Sequence, residues 1–163
     1  AQQNSSKTDT IAAIQDFKNL YRFGNFHLSG QPSYEMLLWL KAEGVKKIIN
    51  LRSEKENTDF STSSFNEEKM VKELGFAYFT VPVDGIQDYT PEKLNAMSDL
   101  LNRNEKILIH CAGAGRVSDF FMAYLIKNQG YTVDEAVEVG KKIKFALPLE
   151  KLLDEEIHMK IVE

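Results

Sequence analysis

The strongest constraint on the fold is a regular alternation of short apolar strands with helical stretches along the chain. Four runs rich in β-branched and aromatic residues have the length of strands: Asn25 to Leu28, Val45 to Leu51, Phe76 to Val83 and Lys106 to His110. The segments between them place apolar residues three and four apart, which predicts helices. A parallel strand pair needs a crossover connection, and a helix supplies it. The sequence therefore predicts an α/β fold whose central, largely parallel sheet is flanked by helices.

The chain length favours a single domain. A chain of 163 residues can bury roughly 70% of its unfolded surface in one core, and no internal repeat or linker divides it. We expect a flexible N-terminal segment over residues 1–10, because it is polar, and one domain over residues 11–163. Helical spacing from Ile11 to Tyr21 predicts a helix at the start of that domain, and the polar stretch from Arg52 to Ser64 predicts a long surface loop.

Charge and composition exclude several classes of partner and site. The chain carries 20 basic and 24 acidic residues, a net charge of −4, with no dense basic run, so we expect neither nucleic acid nor an anionic membrane as the main partner. Charged residues interrupt the longest apolar runs, which argues against a membrane span. Cys111 is the only cysteine, which excludes an intramolecular disulfide and a zinc site of several thiolates. We expect no metal and no cofactor, and the oligomeric state is left open.

The N-terminus bears on localisation. The chain begins with Ala1 in a polar stretch and without Met, as a chain does after a signal peptide is removed behind a small residue. This favours an exported, periplasmic protein. A cytoplasmic protein is the alternative.

The segment from His110 to Ser118 (HCAGAGRVS) carries the chemistry. It follows a predicted buried strand and precedes a nearly all-apolar helix, so Cys111 lies at the carboxyl end of a strand. Glycines let the loop turn its backbone N–H groups inward, and together with the helix N-terminus these groups can bind a tetrahedral anion. The same field favours the thiolate of Cys111, and the planar guanidinium of Arg116 can hold two oxygens of the anion. The predicted anion-binding residues of the loop are Ala112, Gly113, Ala114 and Gly115.

The alternative interpretation of this segment is purely structural. A lone Cys111 can be a small buried hydrophobe, and Gly113 and Gly115 can simply form a tight turn from strand to helix. Ligands of parallel α/β sheets bind at the carboxyl edge of the strands. The coincidence of Cys, two Gly and Arg at that edge favours a functional site.

The segment resembles the signature of the cysteine-dependent tyrosine and dual-specificity phosphatases, which is His-Cys, five residues, Arg, and then Ser or Thr. The resemblance spans roughly Phe26 to Asn128, and the motifs SGQPS, INLRSE, VPVDG and HCAGAGR are most similar to a bacterial phosphatase group of the dual-specificity type. It implies a phosphatase-like fold, with Cys111 as the nucleophile that takes up the phosphoryl group and Arg116 as the phosphate-binding arginine. It also implies that Asp84, in VPVDG, is the general acid that protonates the leaving oxygen.

The loop departs from that signature at two positions. Four residues instead of five separate Cys111 from Arg116, and Val117 stands where the family has Ser or Thr. Ser118, one residue later, is the candidate hydroxyl. Four-residue spacing is seen in many rhodanese-like sulfurtransferases, in which the cysteine carries a persulfide. We expect a hydrolase that cleaves a phosphate monoester through Cys111, with sulfur transfer or non-catalytic binding of phosphate or another anion as alternatives.

Two further residues are candidates near the predicted acid and nucleophile. Asp88 lies four residues after Asp84 and is the alternative acid, because the sequence does not fix the register of the loop. Both carboxylates can also be plain turn residues. His110 is expected to orient the Cys111 loop by hydrogen bonds, and a satisfied core histidine is the equal alternative.

Two polar residues at other strand ends are candidates for substrate binding. Arg52 would add positive charge to the cleft, although an ion pair with Glu54 or Glu56 is the simpler expectation. Gln31 follows the first predicted strand and either lines the pocket or only completes its turn.

Overall fold

A six-stranded sheet organises the computed structural model, which describes residues 8–59, 66–144 and 150–153. The order across the sheet is β1-β2-β3-β6-β4-β5. The strands are β1 (Ile11–Ala13), β2 (Leu20–Phe23), β3 (Phe26–Ser29), β4 (Lys47–Asn50), β5 (Ala77–Thr80) and β6 (Ile107–His110). Strands β3, β6, β4 and β5 are parallel, and β1 and β2 extend the sheet antiparallel at one edge. The predicted α/β class with a largely parallel sheet is confirmed.

Helices cover both faces of this sheet. They are α1 (Tyr34–Ala42), α2 (Glu54–Thr58), α3 (Glu67–Glu73), α4 (Pro91–Ser98), α5 (Gly115–Gln129), α6 (Val133–Ile143) and α7 (Glu150–Leu153). Because side chains alternate along a strand, Ile107 and Ile109 join one apolar core with α5, whereas Leu108 joins a second core with α1 and α3. In the described part of the chain, none of the helices combines the length and apolar character needed to span a membrane.

The helix predicted from Ile11 to Tyr21 is wrong, because this segment forms the β1–β2 hairpin. Ile11 pairs with Phe23 across the hairpin, and Asn19 adopts a left-handed conformation with φ 57°, which Asn tolerates better than most residues. Ile14 and Phe17 lie in the connection and pack against the second core. Because both side chains pack against the core from the connection, the apolar residues recur every three positions, as they would in a helix.

The loop predicted from Arg52 to Ser64 contains a helix, α2. The Ser53 hydroxyl accepts from the Glu56 N–H, and the Glu56 carboxylate accepts from the Ser53 N–H, which forms a capping box. The helix buries no residue of its own, so it leaves no apolar period in the sequence. Residues 60–65 of the predicted loop and residues 1–7 of the predicted flexible segment lie outside the described residues.

The strand register brings four connections to one edge of the sheet. The last residues of β3, β6, β4 and β5 are Ser29, His110, Asn50 and Thr80, and each is aligned with its neighbour across the ladder. The segments that follow these residues therefore meet at the carboxyl edge. The predicted site residues lie on those segments or at the start of α5.

Candidate active site

The Cys111 loop (residues 111–116) connects β6 to the first turn of α5. Cys111 is 1% exposed, and its N–H donates to the Ser29 carbonyl at 3.3 Å. The Ala112 carbonyl accepts from the Gln31 N–H at 2.8 Å. A β-carbon at Gly30 would lie 2.7 Å from that carbonyl oxygen, so only glycine allows the segment after β3 to approach the loop this closely. The base of the Cys111 loop is thereby fixed to the neighbouring strand.

The loop presents a row of backbone donors. Ala114 adopts φ 72°, a left-handed conformation, immediately before α5 begins. The N–H groups of residues 112–117 donate to no acceptor within the described part of the chain, and the helical pattern starts with Ser118 N–H to the Ala114 carbonyl. Six consecutive amides and the N-terminus of a 15-residue helix surround the end of the strand that carries Cys111. Such an arrangement binds oxyanions.

Arg116 is held in place by the carboxylate of Glu56. Its two terminal nitrogens donate to Glu56 Oε1 at 2.6 Å and Oε2 at 2.9 Å, and Nη1 also donates to the Val83 carbonyl at 2.9 Å. The hydrogen bond to Glu56 raises the pKa of Arg116, and the nearby Cys111 side chain raises it further. The same hydrogen bond lowers the pKa of Glu56 to about 2. Arg116 is therefore a fixed cation beside the thiol.

Glu56 also contacts the second arginine of the site. Its Oε2 lies 3.7 Å from Nε of Arg52, so the expected ion pair of Arg52 is made with Glu56. Arg52 is 4% exposed and donates from Nη1 to Gln31 Oε1 at 2.7 Å. A cleft of about 300 Å³ opens beside these side chains and reaches Ala112. The ion pair between Glu56 and Arg116 was not predicted from the sequence. The three-residue spacing from Ser53 to Glu56, which is typical of a capping box, did indicate a helix start here.

His110 belongs to a buried hydrogen-bond network behind the loop. Its Nδ1 donates to the Cys111 carbonyl at 3.1 Å, and Nε2 lies 2.6 Å from Oε2 of Glu67. Gln31 Nε2 donates to the other oxygen of Glu67 at 2.6 Å. Burial alone would raise the pKa of Glu67, but the charge and hydrogen bond of His110, with help from Gln31 and Arg52, lower it overall. Both ring nitrogens of His110 are hydrogen-bonded, one of them to the Cys111 carbonyl, as both the orienting role and the satisfied core histidine predict. Glu67 was not found from the sequence.

The acid loop (residues 81–90) connects β5 to α4 beside Arg116. Its Val83 carbonyl is the acceptor for Arg116, so Asp84 follows that contact directly. The Asp88 carboxylate accepts from the Asp84 N–H at 2.7 Å and thereby closes the turn. Asp84 is exposed, and its carboxylate makes no hydrogen bond within residues 8–59, 66–144 and 150–153. Of the two candidate acids, Asp84 has the carboxylate without a hydrogen bond to the described residues, and Asp88 holds the backbone of the loop.

The hydroxyl of Ser118 is hydrogen-bonded to a neighbouring helix. Its hydroxyl is buried and donates to the Gly140 carbonyl of α6 at 3.3 Å. Ser118 lies two residues after Arg116 in α5 and faces the core, so its hydroxyl links α5 to α6. The candidate role of Ser118 at the site stays a prediction that this hydrogen bond does not favour, and the neighbouring Val117 is buried in the core.

A lysine that the sequence analysis did not single out lies against the other side of the loop. Lys144 follows α6 and is exposed. A β-carbon at Gly113 would lie 3.7 Å from its Nζ, and one at Gly115 would lie 3.7 Å from its Cδ. The loop glycines thus leave room for this side chain, which adds a positive charge near the row of amides.

Comparison with known proteins identifies a family. The profile described as dual specificity phosphatase, catalytic domain, matches residues 27–151, which is more than half of the chain. A search of curated proteins found no match.

Solved structures share the fold. The core catalytic domain of the PP-IP phosphatase SIW14 from Saccharomyces cerevisiae, in complex with citrate, superposes with a TM-score of 0.66 at 19% identity and covers 82% of both chains. TpbA from Pseudomonas aeruginosa, in complex with phosphotyrosine, has a TM-score of 0.64 at 17% identity, over 84% of this chain and 80% of that chain. The kinase associated phosphatase KAP, solved with its catalytic site cysteine substituted by serine, has a TM-score of 0.59 at 18% identity over 76% of both chains. At these identities the likeness is one of fold.

Proposed function

The chain belongs to the dual-specificity phosphatase family, and from that premise we propose that it hydrolyses phosphate monoesters with Cys111 as the nucleophile. The observation that carries the proposal is the set of amides of residues 112–117, which lack acceptors in the described part of the chain and lie with Arg116 around the end of the strand that bears the thiol. Backbone donors aimed at developing negative charge stabilise the transition state of phosphoryl transfer. KAP, a relative in fold, has a cysteine at its catalytic site.

The proposed reaction has two steps. In the first, the Cys111 thiolate attacks phosphorus, the bond between phosphorus and the ester oxygen breaks, and the proton of Asp84 passes to the leaving oxygen. In the second, water attacks the phosphocysteine, its proton returns to the Asp84 carboxylate, and the phosphorus–sulfur bond breaks to release phosphate and the thiolate. Arg116 and the loop amides bind the phosphoryl oxygens in both steps.

Hydrolysis of an aryl phosphate tests the nucleophile. Wild-type protein is expected to hydrolyse the ester, with vanadate as a competitive inhibitor, and Cys111→Ser is expected to lose essentially all activity. Ser118→Ala is the control, since its hydroxyl bonds to α6, and it should retain most of kcat. Hydrolysis that survives in Cys111→Ser would refute the proposal.

Leaving-group dependence tests the acid. Asp84→Asn should lower kcat/KM for an ester with a poor leaving group by about 100-fold or more, while kcat/KM for an ester whose leaving group needs no proton is affected much less. Asp88→Asn is the matched control, because Asn retains an acceptor for the Asp84 N–H. If Asp88→Asn shows the dependence and Asp84→Asn does not, the acid is Asp88. If neither variant shows it, an aspartic acid is not the proton donor.

The four-residue spacing from Cys111 to Arg116 supports sulfur transfer as a second candidate. A sulfurtransferase would form a persulfide on Cys111 from thiosulfate and produce thiocyanate when cyanide is added. Family membership favours the phosphatase, so we expect no thiocyanate from the wild type. Robust thiocyanate formation without aryl phosphate hydrolysis would favour the sulfurtransferase over the phosphatase. If the protein binds phosphate but shows neither activity, it is a non-catalytic binding module.

A further inference from the structure

Helix α5 carries a buried carboxylate that the proposed reaction does not use. Asp119 lies three residues after Arg116 and is 1% exposed. Its Oδ2 accepts a hydrogen bond from the Tyr89 hydroxyl at 2.6 Å, and its Oδ1 has no hydrogen-bond partner among the described residues. Burying a carboxylate with an unpaired oxygen opposes folding. An apolar side chain at this core position would be less costly, so the carboxylate points to a role other than stability.

The partner of Asp119 stands at the end of the acid loop. Tyr89 directly follows Asp88, and its N–H donates to the Ile86 carbonyl at 3.1 Å. Its ring packs edge to face against Phe120 of α5, with centroids 5.3 Å apart. Burial, then the hydrogen bond and charge of Asp119, and then the charge of Cys111 raise the pKa of Tyr89, so its hydroxyl remains a donor. Tyr89 therefore joins the acid loop to α5 close to the thiol.

Two hydrogen bonds therefore connect the acid loop to α5. One is the hydrogen bond from Arg116 to the Val83 carbonyl, and the other is the hydrogen bond from the Tyr89 hydroxyl to Asp119. Arg116 and Asp119 are three residues apart, so both lie on one face of the helix. Asp84 lies between the two fastened positions of the loop. Loss of one attachment would leave this exposed carboxylate with more freedom relative to the thiol.

We propose that Asp119 is a positioning residue of the site, which acts through the hydroxyl of Tyr89 to hold the acid loop, and with it Asp84, in register with Arg116. This inference rests on the proposed phosphatase function. A purely structural pair would alter the stability of the protein without changing how the rate depends on the leaving group. A positioning pair affects the step in which the leaving oxygen is protonated.

The test compares phenyl phosphate, a poor leaving group, with 2,4-dinitrophenyl phosphate, a good one. Tyr89→Phe removes the donor and keeps the ring, Asp119→Leu removes the acceptor, and Asp119→Asn retains an acceptor. We expect the first two variants to lower kcat/KM on phenyl phosphate by about 10-fold or more and to change kcat/KM on the dinitrophenyl ester by less than about twofold, because kcat/KM reports only the steps up to breakage of the ester bond. Asp119→Asn should stay close to wild type. The double variant should be no slower than either single one, because both remove the same hydrogen bond.

Hydrogen–deuterium exchange gives a second measurement that does not depend on activity. Peptides covering residues 84–90 should take up deuterium faster in Tyr89→Phe than in wild type, while peptides of β6 should not change. Equal loss on both esters, no loss on either, or unchanged exchange in the acid loop would overturn the inference and leave the phosphatase proposal standing. A wild type without any Cys111-dependent hydrolysis would refute the proposed function, and this inference with it.

Discussion

At the scale of single residues, the site depends on side chains that neutralise or orient one another across long stretches of sequence. Glu56 and Arg116 are 60 positions apart, and Glu67 and His110 are 43 apart. Each carboxylate keeps its charge because a cation or donor faces it. Asp119 differs from both, because its only hydrogen-bond partner in the described part of the chain is the neutral hydroxyl of Tyr89.

The stability of the protein should therefore depend on pH through Asp119. Burial raises the pKa of Asp119 from 3.8 to about 7 in the folded state, although the Tyr89 hydrogen bond opposes the shift. Below pH 3.8 the carboxyl is neutral in both states. Between pH 3.8 and about 7 only the unfolded chain ionises, so the free energy of unfolding decreases as the pH rises.

Asp119→Asn removes this titration and keeps an acceptor for Tyr89. The variant should be more stable than wild type at pH 8, by up to about 4 kcal/mol on the linkage relation, and the difference should shrink as the pH falls toward 4. Chemical unfolding at several pH values measures it. A stability difference that is independent of pH would show that Asp119 does not titrate as this account requires.

Among the helices, capping residues mark starts that can be identified from the sequence. Ser33 accepts from the Met36 N–H at the start of α1, and Thr132 with Glu135 forms the capping box of α6. Such signals lie within four residues of each other and are visible in the sequence. The β1–β2 hairpin was mispredicted because its apolar spacing comes from tertiary packing, and α2 was missed because it has no buried face.

Helices α5 and α6 pack closely because Gly140 has no side chain. A β-carbon at this position would overlap Met122 Sδ of α5. Gly140→Ala should therefore lower the free energy of unfolding by about 1–3 kcal/mol through overpacking, although alanine favours helix. Glu138→Ala, an exposed change in the same helix, is the control and should change it by less than about 0.5 kcal/mol. Thermal unfolding compares the two, and an equally stable Gly140→Ala would mean that Met122 moves aside freely.

The length of the Cys111 loop should limit its catalytic efficiency. Inserting one glycine after Cys111 restores five residues before Arg116 and widens the ring without removing a donor. We expect the insertion to raise kcat for an aryl phosphate if ring size is limiting, because one more backbone donor can reach the phosphoryl oxygens. Insertion of a glycine after Asn104, in the connection before β6, controls for the effect of lengthening the chain. A fall in kcat on the Cys111 insertion alone would show that the short ring is the one adapted to its anion.

In the whole molecule, the parallel sheet brings together at one edge the segments that form the site, although these segments are far apart in the sequence. The register of β3, β6, β4 and β5 brings their connections together at the carboxyl edge. Cys111 and Arg116 were found from the motif that follows a predicted strand, and Asp84 from the resemblance to the phosphatases. The sequence did not predict Glu67, Asp119 or Lys144 as neighbours of the site, and it named Glu56 only as a possible partner of Arg52. Those contacts depend on how helices pack on the sheet, and a single sequence carries no local pattern for that packing.

Covalent catalysis by Cys111 is tested by a rapid-quench experiment with an aryl phosphate, followed by mass spectrometry of the digested protein. A phosphocysteine at Cys111 should form before steady state, accumulate in Asp84→Asn with an ester whose leaving group needs no proton, and be absent in Cys111→Ser. Turnover of the ester with no phosphoryl group on Cys111 would show that Cys111 is not the nucleophile. A persulfide on Cys111 after thiosulfate, with no phosphorylated protein from any ester, would show that the chain transfers sulfur instead.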